Sequence, residues 1–339
     1  MSGPVMKLLM RRLLTLIPTL ILVSLLLFCI LRLLPVDPAA MSLPPNATNA
    51  EIEAMRLEMG LDKPLIQQYG IWFADMLHGD FGRSIHYRTP VSRLVLDTLP
   101  ATIELALMAM VFGTLFGVLG GLWLFHSRGG VVEGALDLGT VALLSIPEFL
   151  WGLFFMLLFG VSLDLLPFIG RLGSDVPRPE TITGFLLIDS LLSGSIPTFL
   201  DALKHMILPS VALGLSAAPP IMRILRSSLM EAYQEDYIHQ ARQRGISEGR
   251  ILVFHALKNA FLPTLSLMGV QFGFLFGGTL LVEIIYSYPG MGNLMVDAIR
   301  NADLPIIQTV GLTYCVMVLL ISMAVDVLYL VLNPKLREA

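Results

Sequence analysis

Four carboxylates fall inside or beside long apolar runs: Glu104, Glu148, Glu283 and Asp326. An ionisable group in hydrocarbon is costly and must be paired or used, so each is a candidate for chemistry. Glu148 directly follows Pro147, where a proline break can open a polar pocket. Glu148 and Glu283 are the candidates for lining a pathway through a membrane, with pairing inside a helical bundle as the alternative for Glu148. Glu283 is read as structure or gating, and Asp326 as the partner of a cation at the inner membrane face.

Other chemistries find little support. His205, His239 and His255 lie far apart and lack metal-ligand spacing, so no metal site is expected. The eighteen methionines are scattered through apolar runs and fit core filling better than a soft-metal path. H-E-x-x-H and the phosphate loop G-x-x-x-x-G-K-[ST] are both absent from the sequence. No nucleophile and base pair is visible within an apolar run, so no catalytic residue is assigned. Cys29 and Cys315 sit in apolar runs and are expected as free buried thiols.

The elements that must position these residues follow from composition. Of 339 residues, 55% are hydrophobic and only 14% charged, and mean hydropathy is +0.76. A soluble domain of this composition could not cover its surface with polar groups. The net charge of −4 and the absence of a basic stripe argue against nucleic acid as a partner. The expectation is an all-α polytopic membrane protein with membrane lipid around it.

Six stretches reach the roughly 20 apolar residues that a spanning helix needs. They are 13–34, 101–125, 136–163, 206–225, 261–286 and 306–332. The first could be a signal peptide, but its apolar part is longer than the usual 7–15 residues, and a retained helix is expected. Placing the N-terminus in the cytoplasm puts Lys7, Arg11, Arg12, Arg128, Arg223, Arg226, Arg242, Arg244, Arg250, Lys258, Lys335 and Arg337 on the inner side. Both termini are then cytoplasmic. The organisation reads as 1–35, a cytoplasmic N-terminus with the first helix; 36–100, an extracytoplasmic segment; 101–332, a core of five spans; and 333–339, a cytoplasmic tail.

The outer segment reads as a small folded cap. Thr48 is placed to cap a helix over 49–59, and a second helix is expected over 65–77, ended by a glycine-rich stretch at 78–82. Gly113, Gly117, Gly120 and Gly121 fall on or near one face of the second span and suit close helix packing.

The informative stretch is 231–260, between spans four and five. Asp236 is placed to cap a short helix over 237–244, and Gly245 suits the left-handed residue that ends it. Ser247 is placed to cap a second helix with Ile251, Phe254 and Leu257 at helical spacing. Two short helices joined at a glycine make a knob, and a partner pushing it would move both adjoining spans. An amphipathic loop resting on headgroups is the alternative on periodicity alone.

The residues here resemble the docking loop of ABC importer permeases, the dipeptide/oligopeptide/nickel branch in particular. Ala241-x3-Gly245 is similar to the A-x3-G core of that loop, and Leu262-Pro263 to its end. His239 and Gln240 replace the usual Glu and Ala of the triplet. The spacing from Gly245 to Leu262-Pro263 is the longer form of the peptide branch, with His255 to Pro263 matching H-A-L-K/R-N-A-x-L-P. Pro35 to Pro38, Gly60 to Leu65, Gly79 to Ser84, Glu283 with Ser287 to Gly292, and Asn333 to Arg337 resemble the same branch in order.

The resemblance implies a type I ABC importer permease fold in a bacterial inner membrane. It implies one of two unlike permease subunits, served by two ATPase subunits that hold ATP and Mg, and by an extracytoplasmic substrate-binding protein. This chain would itself bind no cofactor. Asp236, Tyr237, Ala241, Arg242, Gly245, Arg250, His255 and Asn259 would form the ATPase-docking loop. The substrate would be a dipeptide or short oligopeptide; Glu148, read from its place after Pro147 as a candidate for lining the path, is then also the candidate to meet its ammonium group. Nickel chelates, glutathione, opines and sugars are the alternatives within the branch. A secondary transporter fits less well, because no inverted repeat is evident.

Overall fold

The computed structural model describes residues 3–33, 37–44 and 46–332. The tail at 333–339 and residues 34–36, with part of the 35–38 motif, lie outside the described residues. The chain opens with α1 (Gly3–Arg32), three short helices α2 (Pro38–Ser42), α3 (Asn49–Glu58) and α4 (Leu65–Leu77), and the 36-residue α5 (Val91–His126). It continues through α6 (Val131–Ser145), α7 (Glu148–Phe155) and a π-helical turn over Met156–Ser162. After an irregular segment come α8 (Leu186–Leu192), the 37-residue α9 (Ile196–Ala232), α10 (Asp236–Gln243) and α11 (Glu248–Ile251). A second π turn, Leu252–Ala256, leads into α12 (Leu257–Ile285), then α13 (Met291–Arg300) and α14 (Leu304–Leu332).

Among the described residues five helices are long and apolar enough to cross a membrane, or six if the bent pair α6 and α7 counts as one span. That pair corrects the expectation for 136–163. α6 and α7 meet at 97°, so this stretch is not one straight span. Ile146 is extended (φ −96°, ψ 118°), as a residue before proline prefers, and Pro147 then begins a new helix rather than continuing the old one. By contrast, α9 runs unbroken through Pro209, Pro219 and Pro220 and extends beyond 206–225 at both ends. The second span likewise begins at Val91 instead of 101, so ten residues assigned to the outer segment belong to α5.

The centre of the fold is the α5–α9 crossing, its most extensive helix contact. Small residues decide how close it is. A Cβ on Gly214 would lie 2.7 Å from the carbonyl oxygen of Ala109, and one on Gly117 would lie 2.5 Å from Ile221 Cγ2. Only glycine allows that backbone approach, which is how membrane helices gain packing energy without a hydrophobic driving force. α12 packs against α9 and α5, and α14 against α1 and α12. Arg12 and Asp326 form an ion pair (2.5 Å) between α1 and α14, so Asp326 has a cation partner.

The outer segment is folded onto α1. Thr48 and Glu51 form a reciprocal capping box at the start of α3. Tyr69 of α4 meets Ser24 through a 2.8 Å hydroxyl contact and presents its ring to Phe28 at 5.5 Å. Farther on, Ser84 Oγ donates to Asp303 Oδ2 (2.6 Å), tying the stretch before α5 to the start of α14. Cys29 is exposed and Cys315 half-buried, and both are free thiols, so burial of Cys29 is not observed.

Candidate functional site

The stretch 231–260 forms a knob at one end of the bundle. The chain enters α10 one residue earlier than the sequence suggests. Glu235 is the extended N-cap residue and Asp236 lies in the first turn, where its charge suits the helix N-terminus but caps no amide. The exit is as expected. Gly245 has φ +74°. Its amide donates to the Arg242 carbonyl (2.9 Å), and the Ile246 amide donates to the Ala241 carbonyl (3.2 Å). These two bonds make a complete Schellman turn.

The second helix departs from expectation. Ser247 occupies the N-cap position without a side-chain bond. α11 does not stand alone but continues through the π turn into α12, giving one apolar helix over Glu248–Ile285. The π turn adds a residue to the local period and turns Phe254 away from the Ile251 face. Phe254 is therefore 67% exposed and Val253 52% exposed, while Ile251 is fully buried.

The knob is welded to the bundle. Ile238, Ala241, Ile251 and Ala256 are buried together with Leu225, Leu229 and Ala232 of α9, Ala260 of α12 and Phe125 of α5. Ala241 must be small because it lies at this junction. Around the rim, Arg242 Nε donates to Glu248 Oε1 (2.6 Å) and the guanidinium lies 5.5 Å from the Tyr233 ring centroid. The Glu248 hydrogen bond holds the Arg242 pKa above its ordinary value. Arg128 lies 3.9 Å over Phe125. Asn259 Nδ2 donates to Tyr237 Oη (3.0 Å). Asp236, Arg242, Gly245, Arg250 and Asn259 are exposed, and Tyr237 and His255 are half-buried. The structure thus gathers all eight residues singled out here into one knob. It adds Val253, and Phe254, which periodicity had turned inward.

Glu283 does not line a path. It is fully buried at the far end of α12. Its carboxylate accepts from Thr102 Oγ1 (2.7 Å) and from the Gly292 amide (2.7 Å). Thr102 Oγ1 in turn accepts from the Met291 amide (2.8 Å), and Asn293 Nδ2 donates to the Glu283 and Tyr288 carbonyls. The carboxylate therefore fastens the N-terminus of α13 onto α5 and α12. The pathway assignment for Glu283 is corrected to a structural one.

Glu104 is also a fastener. It is buried, pairs with Arg171 and accepts the Leu187 amide (2.9 Å). With it, Asp189 and Asp201 hold the irregular segment 163–185. Asp189 accepts from the Thr183 hydroxyl (2.7 Å) and from the Thr183 and Gly184 amides (2.8 and 3.0 Å). Burial raises the Asp189 pKa, but the hydrogen bonds led by Thr183 outweigh it, and the net shift is below the ordinary carboxylate value. This organised segment carries no periodic pattern and was not visible in the sequence.

Glu148 is different from both. It stands in the first turn of α7, directly after the 97° bend. It faces a cavity of about 490 Å³ whose lining includes Leu144, Leu213, Ser216, Ala217, Gln271, Phe274 and Gly278. Tyr286 Oη donates to the Gly152 carbonyl (2.9 Å), which pins α7 against α12 beside this cavity. Among the described residues no three His, Cys, Asp or Glu side chains converge to hold a metal ion. His205 instead bonds to the Asp201 carbonyl at 2.9 Å.

Comparison with known proteins places these features in context. Residues 113–338 match the model of the binding-protein-dependent transport system inner membrane component. Residues 5–106 match the N-terminal model of the same kind of membrane component. The chain is 40% identical over 331 residues to the di/tripeptide transport system permease protein DppB of Pseudomonas aeruginosa (strain UCBPP-PA14), covering 97% of this chain and 98% of that one. It is 35% identical over 327 residues to the glutathione transport system permease protein GsiC of Shigella flexneri serotype 5b (strain 8401), covering 96% and 97%. Its fold is similar to that of a chain in an inward-facing MetNI methionine ABC transporter (TM-score 0.53, 17% identity), over 71% of this chain and 96% of that one.

Proposed function

We propose, from the premise that this chain belongs to the family of binding-protein-dependent transport system inner membrane components, that it forms half of a translocation pathway for dipeptides or short oligopeptides. The other half is a second, homologous permease subunit. The knob docks on one of two ATPase subunits that bind ATP and Mg, and an extracytoplasmic binding protein delivers the substrate to the opposite end. Both termini and the knob then face the cytoplasm of a bacterial cell, and the segments 37–90 and 163–195 face outward across the inner membrane.

One observation carries this reading: the knob is rigidly joined to two spanning helices and presents an exposed apolar tip. Val253 and Phe254, flanked by Arg250 and His255, are 52% and 67% exposed. A partner that grips this tip and moves it moves α9 and α12 together. ATP closing the ATPase pair supplies that movement. The chain has no phosphate loop of its own, so hydrolysis is assigned to the partners. The likeness to a di/tripeptide permease over nearly its whole length supports a peptide as cargo. Glutathione, itself a short peptide with a free ammonium group, is the second reading, favoured by the likeness to a glutathione permease.

The test is affinity purification of the tagged chain from native membranes in mild detergent, followed by mass spectrometry. A second six-span permease and P-loop ATPases are expected. Recovery of the chain alone, even after crosslinking through the knob, overturns the reading. Uptake competition between an alanine dipeptide and glutathione in membranes of the same cells separates the two cargoes.

A further inference from the structure

We infer that Glu148 is an ammonium-binding subsite at mid-membrane depth, which takes the free α-amino group of a peptide as it passes. This deepens the peptide reading above and rests on it. The position comes first. Residue 214 is the midpoint of Ile196–Ala232, and residue 271 is the midpoint of Leu257–Ile285. The cavity that Glu148 faces is walled by Leu213, Ser216 and Ala217 of α9 and by Gln271, Phe274 and Gly278 of α12. It therefore lies at the middle of α9 and in the second half of the apolar helix Glu248–Ile285, short of the ends of both.

The second observation is what Glu148 lacks. Glu104, Glu133, Asp137, Glu283 and Asp326, acids in or beside the spans, each have a partner. Glu148 makes no hydrogen bond or ion pair among the described residues. No Lys, Arg or His lines its cavity. A carboxylate at this depth without a counter-charge is costly, and a group kept there against that cost is expected to have a transient partner.

The shape is suited to such a partner. The 97° bend at Ile146 and Pro147 turns the start of α7 toward the cavity instead of burying it in a continuous helix. Gly278 keeps the approach open, because a Cβ there would lie 3.2 Å from Glu148 Oε1. The Gln271 side chain makes no hydrogen bond among the described residues, and Ser216 uses only its proton, donated to the Leu213 carbonyl (2.7 Å). Both have acceptor capacity left for the second and third protons of an ammonium group. The rest of the lining is apolar, and a volume of about 490 Å³ falls in the range of small-ligand sites. Such a site reads the one group common to unmodified peptides and is tolerant of their side chains.

The test uses the complete transporter in proteoliposomes, with this chain, its sister permease, the ATPases and the binding protein, and an alanine dipeptide as probe. Uptake and ATP hydrolysis are measured for the native complex, E148Q and E148D. Loss of one charge-assisted bond predicts uptake about 10- to 100-fold lower in E148Q. E148D is expected to recover part of the uptake. Unchanged uptake in E148Q overturns the subsite and leaves the peptide reading intact. Equal loss of uptake and ATP hydrolysis in E148Q, without rescue by E148D, makes the carboxylate structural and also overturns it. Absence of dipeptide uptake by the native complex overturns the peptide reading, and the subsite with it.

Discussion

Gly245 offers a test in which conformation and size make opposite demands. Its φ of +74° lies in the left-handed region, where a residue with a side chain costs about 1–2 kcal/mol more than glycine. Space is not the constraint, since a Cβ there meets nothing within 4 Å. Alanine at 245 is therefore expected to weaken the turn by about 1–2 kcal/mol through backbone strain alone, which speeds exchange of the local amides about 5- to 30-fold. Valine disfavours this region more strongly because of its branched Cβ. A switch to negative φ would also break the Gly245–Arg242 and Ile246–Ala241 bonds, each worth about 1 kcal/mol net. The expected loss for G245V is then about 2–4 kcal/mol, enough to melt the exit of α10 much of the time. Asparagine is larger than alanine yet adopts the left-handed region more readily. The predicted order of damage is Val, then Ala, then Asn. Hydrogen exchange at residues 245 and 246 reads the turn, and dipeptide uptake reads its consequence. Should Asn damage uptake more than Ala, the glycine is needed for room against a partner and the conformational reasoning fails. Should Val exchange as slowly as the native chain, the left-handed turn is refuted altogether.

Other perturbations isolate other parts of the fold. Gly117→Leu puts a side chain where a Cβ already falls 2.5 Å from Ile221, and overpacking of this kind is expected to lower stability by about 1–3 kcal/mol; a thermal melt in detergent that does not move would refute the tight α5–α9 crossing. Glu283→Gln places an amide group among donors from Thr102 and Gly292, and is expected to cost about 1–3 kcal/mol. Its mark is a lower melting temperature with peptide preference unchanged, and a changed preference would return Glu283 to the pathway. Asp189 has a folded pKa below its ordinary 3.8, so its contribution is complete above that value and is lost as pH falls through the folded pKa. Amides at Thr183 and Gly184 are expected to lose protection between about pH 4 and 2, after correction for intrinsic rates, and D189N to remove that dependence.

What the sequence made legible was whatever depends on local pattern. Runs of apolar residues marked five long helices and the bent pair α6 and α7. Thr48 announced the start of α3, and Gly245 announced the end of α10. Asp326 near the inner end of a span called for a cation, and Arg12 supplies it. What stayed hidden depends on residues far apart in the chain. Glu104 meets Arg171 across 67 positions, and Thr102 meets Glu283 across 181. No periodicity carries such pairings, so Glu283 read as a candidate for the pathway when it is a fastener. Phe254 misled for a different reason: a π turn breaks the 3.6-residue period on which its inward placement depended.

The bend after Ser145 joins the two halves of the functional argument. Without it, Glu148 would sit inside a straight helix, and the cavity would lack its one charge. With it, the cavity walls and the knob interior belong to the same two helices. α9 carries Leu213 and Ala217 at the cavity and Leu225 and Leu229 at the knob, about 12–24 Å apart at 1.5 Å per residue. α12 carries Gln271 and Gly278 at the cavity and Ala260 at the knob, about 17–27 Å apart at 1.5 Å per residue. Helices packed as closely as α5 and α9 at Gly214 move as a unit, because their backbones leave no slack to absorb a shift. A displacement imposed on the exposed tip at Val253 and Phe254 therefore reaches the cavity largely undiminished. α7 lies outside the buried knob cluster and is pinned to α12 through Tyr286, near the opposite end. On the reading proposed above, the knob and the ammonium site would thus be coupled through the two helices they share, as an importer requires.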